Sequence, residues 1–294
     1  KIYMSAFNPA SSMHVSGETL SLGGDIYSYG ITSSWSGAIT LTDDVEVRVT
    51  TSDILNLSGA IDGTGGITKD WAGTLIYSGA ANSYSGDTTV TSGTLLMNKT
   101  GVAIRYGTLT IGDGAGSADE VVVRAIQHNQ IHAGADIIIH EDGWLDMDDY
   151  SDYVGAITLN GGHAGSSATG MLRLSGNVTV NASAQESLFD GNLYLNGTRS
   201  FSVEEGPVGY ELRVTAVLGG EALVKTGPGL MALQGANIYT GLTSVNEGRL
   251  YLLNDAALGT VAGGTEIVDS GFIQMINVDI GDEPLTLGRT AAGS

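Results

Sequence analysis

Short runs in which apolar and polar positions alternate are the main pattern along this chain of 294 residues. Val45, Val47 and Val49 alternate with charged residues, Leu172 and Leu174 flank an arginine, and Leu193 and Leu195 flank a tyrosine. A period of two puts every second side chain on one face, the mark of a strand buried on one side. The runs are separated by clusters of Gly, Asn, Ser and Asp, which favour turns. No long stretch carries apolar residues at helical spacing, and no run approaches the roughly 20 apolar residues that span a bilayer as a helix. The pattern predicts an all-β chain of many short strands with no transmembrane segment.

The strands recur at a fixed spacing. Leu75/Tyr77 return 20 residues on as Leu95/Met97, and Leu172/Leu174 return 21 residues on as Leu193/Leu195. Leu230/Ala232 and Leu250/Leu252 give the same spacing of 20. One turn of a parallel β-helix has this length, each turn stacking on the last with alternate side chains pointing inward. At about 4.8 Å per layer, roughly 12 to 15 turns would form a rod on the order of 60–70 Å long.

A longer repeat lies over the short one. The segment Gly66–Gly79 lines up with Glu221–Gly235, pairing Lys69 with Lys225, Gly73 with Gly229 and Gly79 with Gly235. After a slip of one residue, Asn82, Tyr84, Gly86, Val90, Gly93 and Leu95 match Asn237, Tyr239, Gly241, Val245, Gly248 and Leu250. Glu18-Thr-Leu-Ser-Leu-Gly23 is echoed by Glu283-Pro-Leu-Thr-Leu-Gly288. We therefore expect one continuous solenoid over residues 1–294, a segment of a longer array, with its clearest repeats at 66–98 and 221–254. The glycines suit corners where φ is positive or two backbones pass closely.

These residues resemble the passenger-associated, or autotransporter-associated, β-strand repeat. Its pattern runs Lys-x-Gly-x-Gly-x-Leu-x-Leu-x-Gly-x-Asn-x-Tyr-x-Gly-x-Thr-x-Val-x-x-Gly-x-Leu, and the copy from Lys225 through Gly227 to Leu250 follows it closely. The copy from Lys69 departs at Asp70-Trp71, where the Thr-Gly pair is missing, and inserts one residue before Asn82. The resemblance implies a right-handed parallel β-helix, exported across a bacterial envelope as a passenger or stalk, with no catalytic residues to carry over.

Composition narrows the partners. With 12 basic and 32 acidic residues the formal charge is −20, which disfavours nucleic acid and anionic lipid. The 42% hydrophobic content is enough to bury a core, so the charge is expected to coat a folded surface. There is no cysteine, hence no disulfide, thiolate metal site or cysteine nucleophile. Lys1 opens a strand-like segment with no apolar run before it, so any signal peptide is expected to lie outside this sequence.

Candidate chemistry is sparse. Asp146, Asp148, Asp149 and Asp152 could offer oxygens to Ca²⁺, but they lack both the glycine-rich calcium repeat and EF-hand spacing, so a solvated acidic turn is the plainer reading. Asp43 and Asp44 offer less. His128 and His132 share a face only on a helix, which the following Ala-Gly-Ala-Asp opposes, and His140 lies beside Glu141 and Asp142. Asn56, Asn98, Asn177, Asn181 and Asn196 open Asn-x-Ser/Thr triplets and read as turn or stacking residues. Trp35, Trp71, Trp144 and the tyrosines suit either sugar contacts or stacks within the solenoid.

A non-catalytic structural or adhesive segment at the bacterial surface, without catalytic, cofactor or firm metal residues, is the leading expectation, with surface glycans or proteins as partners. A filament subunit whose copies stack end to end is the first alternative, because solenoid ends are open strand edges. A β-helix enzyme acting on polysaccharide is the second. It would need paired carboxylates, which the sequence does not single out.

Overall fold

The computed structural model describes residues 1–5 and 13–288. Among them there is no helix; 32 strands, most of three to six residues, follow one another along the chain. All strand-to-strand pairings are parallel. The strands form a parallel β-solenoid of about 13 turns.

The path runs over three faces. The first begins at Ile2–Ser5 and climbs through Val45–Val49, Ile67–Asp70, Asp136–His140 and Arg199–Val203 to Leu285–Leu287. The second begins at Met13–Val15 and climbs through Thr74–Gly79, Thr94–Lys99 and Val121–Ala125. It ends in the long strands Thr243–Leu252 and Thr265–Met275, each of which serves both faces. Among the described residues the third face has strands only in two stretches, Leu20–Leu22 with Ile39–Leu41 and Ile61–Gly63, and Ser151–Val154 with Met171–Leu174, Asn192–Leu195 and Val217–Gly220.

Alternation within each strand makes the core. On the second face Leu55, Leu75, Leu95, Val123, Leu145, Ala164, Phe189, Val214, Leu233 and Leu252 stack as one buried column. The pairs Leu75/Tyr77 over Leu95/Met97 and Leu172/Leu174 over Leu193/Leu195 stack as their spacing predicts. The pairing of Leu230/Ala232 with Leu250/Leu252 needs correction, since Met231 lies against Leu250 and Leu233 against Leu252. The physical reason is the extra residue before Asn82. It lengthens the turn between Gly79 and Asn82 relative to that between Gly235 and Asn237, so the second copy closes its rung one residue sooner.

Candidate functional site

The motif residues of both repeat copies point inward and do equivalent work. Lys69 and Lys225 are fully buried, their stems packed between Val47 and Val90 and between Phe201 and Val245. The Lys225 ammonium donates to the carbonyls of Thr226 (2.8 Å), Gly227 (2.7 Å) and Glu247 (3.2 Å). Lys69 donates to those of Asp70, Trp71 and Ser92. Burial pushes both ammonium groups down to about 8, which leaves them charged at neutral pH. A third buried lysine, Lys99, is likewise lowered to about 8 by burial and holds the carbonyls of Leu57 and Gly59. The pattern of the repeat does not include it.

The asparagine and tyrosine of each copy serve the third face where it has no strand. Asn82 Oδ1 accepts the Ile61 N–H from the rung below (3.1 Å), and its Nδ2 donates to the Ala103 carbonyl of the rung above (3.0 Å). Asn237 repeats this with Leu218 and Ala257. Tyr84 and Tyr239 fill the corner beside them, each with its hydroxyl 2.6 Å from a threonine, Thr88 and Thr243. Glycine is required where rungs touch: a Cβ on Gly73 or Gly229 would sit 2.3 Å from a backbone oxygen of the previous rung. At the position where the second copy has Gly227 (φ 76°), the first copy holds Trp71 in the same left-handed conformation (φ 66°). The turn thus survives the loss of Thr-Gly, with Asp70 Oδ1 accepting the Trp71 N–H and the indole packed edgewise on Tyr27 and Tyr29.

The four aspartates of the acidic segment do not converge. Asp146 is nearly buried and pairs with Arg124 at 2.5 Å. Asp148 takes a left-handed turn conformation and donates its N–H to Asp146. Asp149 is exposed and accepts hydrogen bonds from the Ser167 and Thr169 hydroxyls, which hold its carboxyl below the usual range. Asp152 points into the core, where its Oδ2 accepts the N–H groups of Gln130 (2.6 Å) and Ile131 (2.8 Å). Burial pushes it up to about 7 against those hydrogen bonds. Among the described residues no group of three His, Asp or Glu side chains is placed to hold a metal ion.

The histidines lie apart as well. His128 accepts the Ser151 N–H and meets Tyr150 edge-on, while His132 packs near Tyr106. His140 lies beside Asn160. His163 stacks on Trp144 with ring centroids 5.2 Å apart. Its Nδ1 is 3.1 Å from Asp119, and its Nε2 is 3.3 Å from Asp190, close enough for charge attraction but not aligned as a hydrogen bond. Burial lowers the imidazole's pKa, but Asp190 and Asp119 outweigh it, and the net shift is upward. The cleft beside it, about 510 Å³, is also lined by Glu141, Glu186 and Arg213, with Arg213 paired to Glu186.

The triplet asparagines stack as the sequence suggests. Asn56 accepts from Ser78, Asn98 from Gln127, and Asn177 from the Ser200 N–H. Asn181 donates to Asn160 and Asn196 to Ser175.

The outer surface of the third face differs from the rest. Tyr153, Arg173 and Tyr194 occupy one register position on three successive rungs. The guanidinium lies between the two rings, 5.3 and 5.5 Å from their centroids. A shallow cleft of about 320 Å³ opens beside it, lined by His128, Asn129, Ser151, Tyr153 and Arg173.

The passenger-associated-transport-repeat family model matches residues 67–97 and 223–252, the two segments whose Lys, Asn and Tyr residues are described above. The chain is also similar to the adhesin BmaC autotransporter of Brucella suis biovar 1 (strain 1330), with 27% identity over 308 aligned positions that cover 90% of the chain. It spans about 8% of that relative's length. No solved structure matches. Two segments of the chain thus match the passenger-associated-transport repeat.

Proposed function

We propose that this chain is a non-catalytic segment of a bacterial surface passenger, a stiff β-solenoid that spaces and presents adhesive contacts outside the cell. The observation that carries the reading is the division of labour within the rungs. Lys69, Asn82 and Tyr84, and their counterparts Lys225, Asn237 and Tyr239, are spent inside on carbonyls and amides, which stiffens the stack and leaves outward positions free to vary. The likeness to an autotransporter adhesin supports an extracellular location and an adhesive role. Of the carboxylates lining the cleft of about 510 Å³, Asp119 is engaged with His163 and Glu186 with Arg213, an arrangement that favours holding the fold over acid–base work.

The test is display of the chain on a non-adherent bacterium through a heterologous outer-membrane anchor, with attachment to host-cell and matrix-coated surfaces counted. Attachment above the anchor-only control is expected. Absence of attachment to every surface, or depolymerisation of polysaccharide by the purified chain, would overturn the reading.

A further inference from the structure

We infer that the outer surface of the third face, centred on Arg173, is a binding site for a linear uronate-containing glycan. The inference rests on the adhesive reading and names the chemistry of its partner.

Three observations converge on this surface. The first is charge. In a chain with 12 basic and 32 acidic residues, Arg48, Arg124, Arg213 and Arg249 are paired with carboxylates. Arg173 has only its two tyrosine rings, and no carboxylate of the described residues lies within ion-pair distance of it. The nearby acids are turned away, Asp149 to the Ser167 and Thr169 hydroxyls and Asp152 into the core.

The second is preorganisation. Packing between two rings restrains the guanidinium, so its N–H fork can meet a carboxylate with less further loss of freedom. The third is the lining. His128, Asn129 and Ser151 surround the cleft beside Tyr153 with groups that exchange hydrogen bonds with hydroxyls.

An acidic peptide fits less well. Its usual route onto a sheet is addition to an exposed strand edge. Here each third-face strand from Met171 to Leu195 is paired on both sides by the rungs above and below, so the lateral face offers side chains only. A sugar can be read by side chains alone. The surface also runs along the stack from Tyr153 to Tyr194, which suits an extended polymer better than a capped sialic acid terminus. The net charge of −20 disfavours dense polyanions, but at physiological salt charges more than about 8 Å away are largely screened. A glycan with a single carboxylate per disaccharide meets one cation locally.

The test is calorimetric titration of the full chain with a hyaluronan oligosaccharide, its carboxyl-reduced form, sialyllactose and a glutamate-rich peptide, alongside Arg173→Gln and Arg173→Lys. Saturable binding of the hyaluronan oligosaccharide is expected. Carboxyl reduction and Arg173→Gln should each weaken it roughly tenfold or more, the loss of a charge-assisted bidentate contact. Arg173→Lys should also weaken it, because an ammonium keeps the charge without the stacked plane. Unchanged melting of both variants shows that the loss is not unfolding.

No binding of the hyaluronan oligosaccharide, equal binding of the reduced sugar, equal affinity in Arg173→Gln, or preference for sialyllactose or the peptide would overturn the inference. In the display assay, attachment that persists in Arg173→Gln overturns this site while leaving the adhesive role standing. Failure of the wild type to attach counts against the adhesive role itself.

Discussion

Replacing Asp152 with asparagine should stabilise the solenoid above neutral pH and remove part of its pH dependence. Asp152 occupies an inward position, continuous with Leu172, Leu193 and Leu218 on the rungs above. Below it the third face has no strand, and its Oδ2 takes up the amides of Gln130 and Ile131. This is the same service that Asn82 and Asn237 perform with a neutral side chain. A carboxylate accepts the two amides equally well but must be buried to do so, which pushes Asp152 from 3.8 up to about 7. Because the folded pKa lies above the unfolded one, its contribution is fully present below about pH 4 and is lost as pH rises through 7.

The rise corresponds to roughly 4 kcal/mol against the ionised form at high pH, at about 1.4 kcal/mol for each tenfold change. Asparagine keeps an acceptor for the two amides and cannot ionise. Urea unfolding of wild type and Asp152→Asn at pH 5 and pH 8.5, with hydrogen exchange read at residues 129–154, checks this. The variant should gain about 2–4 kcal/mol on the wild type between the two pH values, most of it local to those rungs. Parallel pH profiles for the two proteins would refute the reasoning, since they would mean that the carboxylate is not penalised by its surroundings.

Lys225→Met should cost about 2–4 kcal/mol, since three carbonyls lose a charge-assisted partner while relief from burying the ammonium returns part of that; hydrogen exchange over 223–252 as slow as in wild type would refute it. Leu195→Asp puts an unpaired charge into a column where Leu195 is 0% exposed, and should fray the neighbouring rungs. Unchanged thermal unfolding would contradict that. His163→Gln removes the imidazole placed between Asp119 and Asp190. Since its folded pKa is raised above 6.5, the contribution is full below that value and lost as pH climbs through the raised one. The variant should therefore exchange faster than wild type around Asp119 at pH 6, with the difference shrinking at pH 9; a difference that grows with pH would reverse the assignment.

The interior of this fold was legible because alternation and rung length are local properties. Val45, Val47 and Val49 alternate in the sequence and are buried in the structure for the same reason. The one slip of register, at Leu230, came from applying the spacing of a rung with an inserted residue to a rung without it. Trp71 could not be placed because a bulky residue at positive φ is costly on its own; neighbours on other rungs, Tyr27 and Tyr29, hold it there. Asp152 looked like part of an acidic surface because an aspartate next to other aspartates carries no mark of facing inward. Its position becomes visible only when Asp152 and Val154 are aligned under Leu172 and Leu174.

That alignment also shows why the repeat reveals architecture more readily than function. Between Asn237 and Tyr239 the second copy exposes Ile238, while the equivalent outward position of the first copy is Ser83. The flanking asparagine and tyrosine are identical in type and bonding; the residue between them is free to change from a hydroxyl to a branched hydrocarbon. Any position that stacks inward is constrained by two neighbouring rungs, whereas an outward one is constrained by whatever the rod meets. Contacts with partners must therefore be sought at the positions the repeat leaves unspecified. The alignment of Leu172/Leu174 with Leu193/Leu195 already placed Arg173 directly under Tyr194, and only the third rung, Tyr153, was needed to turn a pair of surface residues into a site.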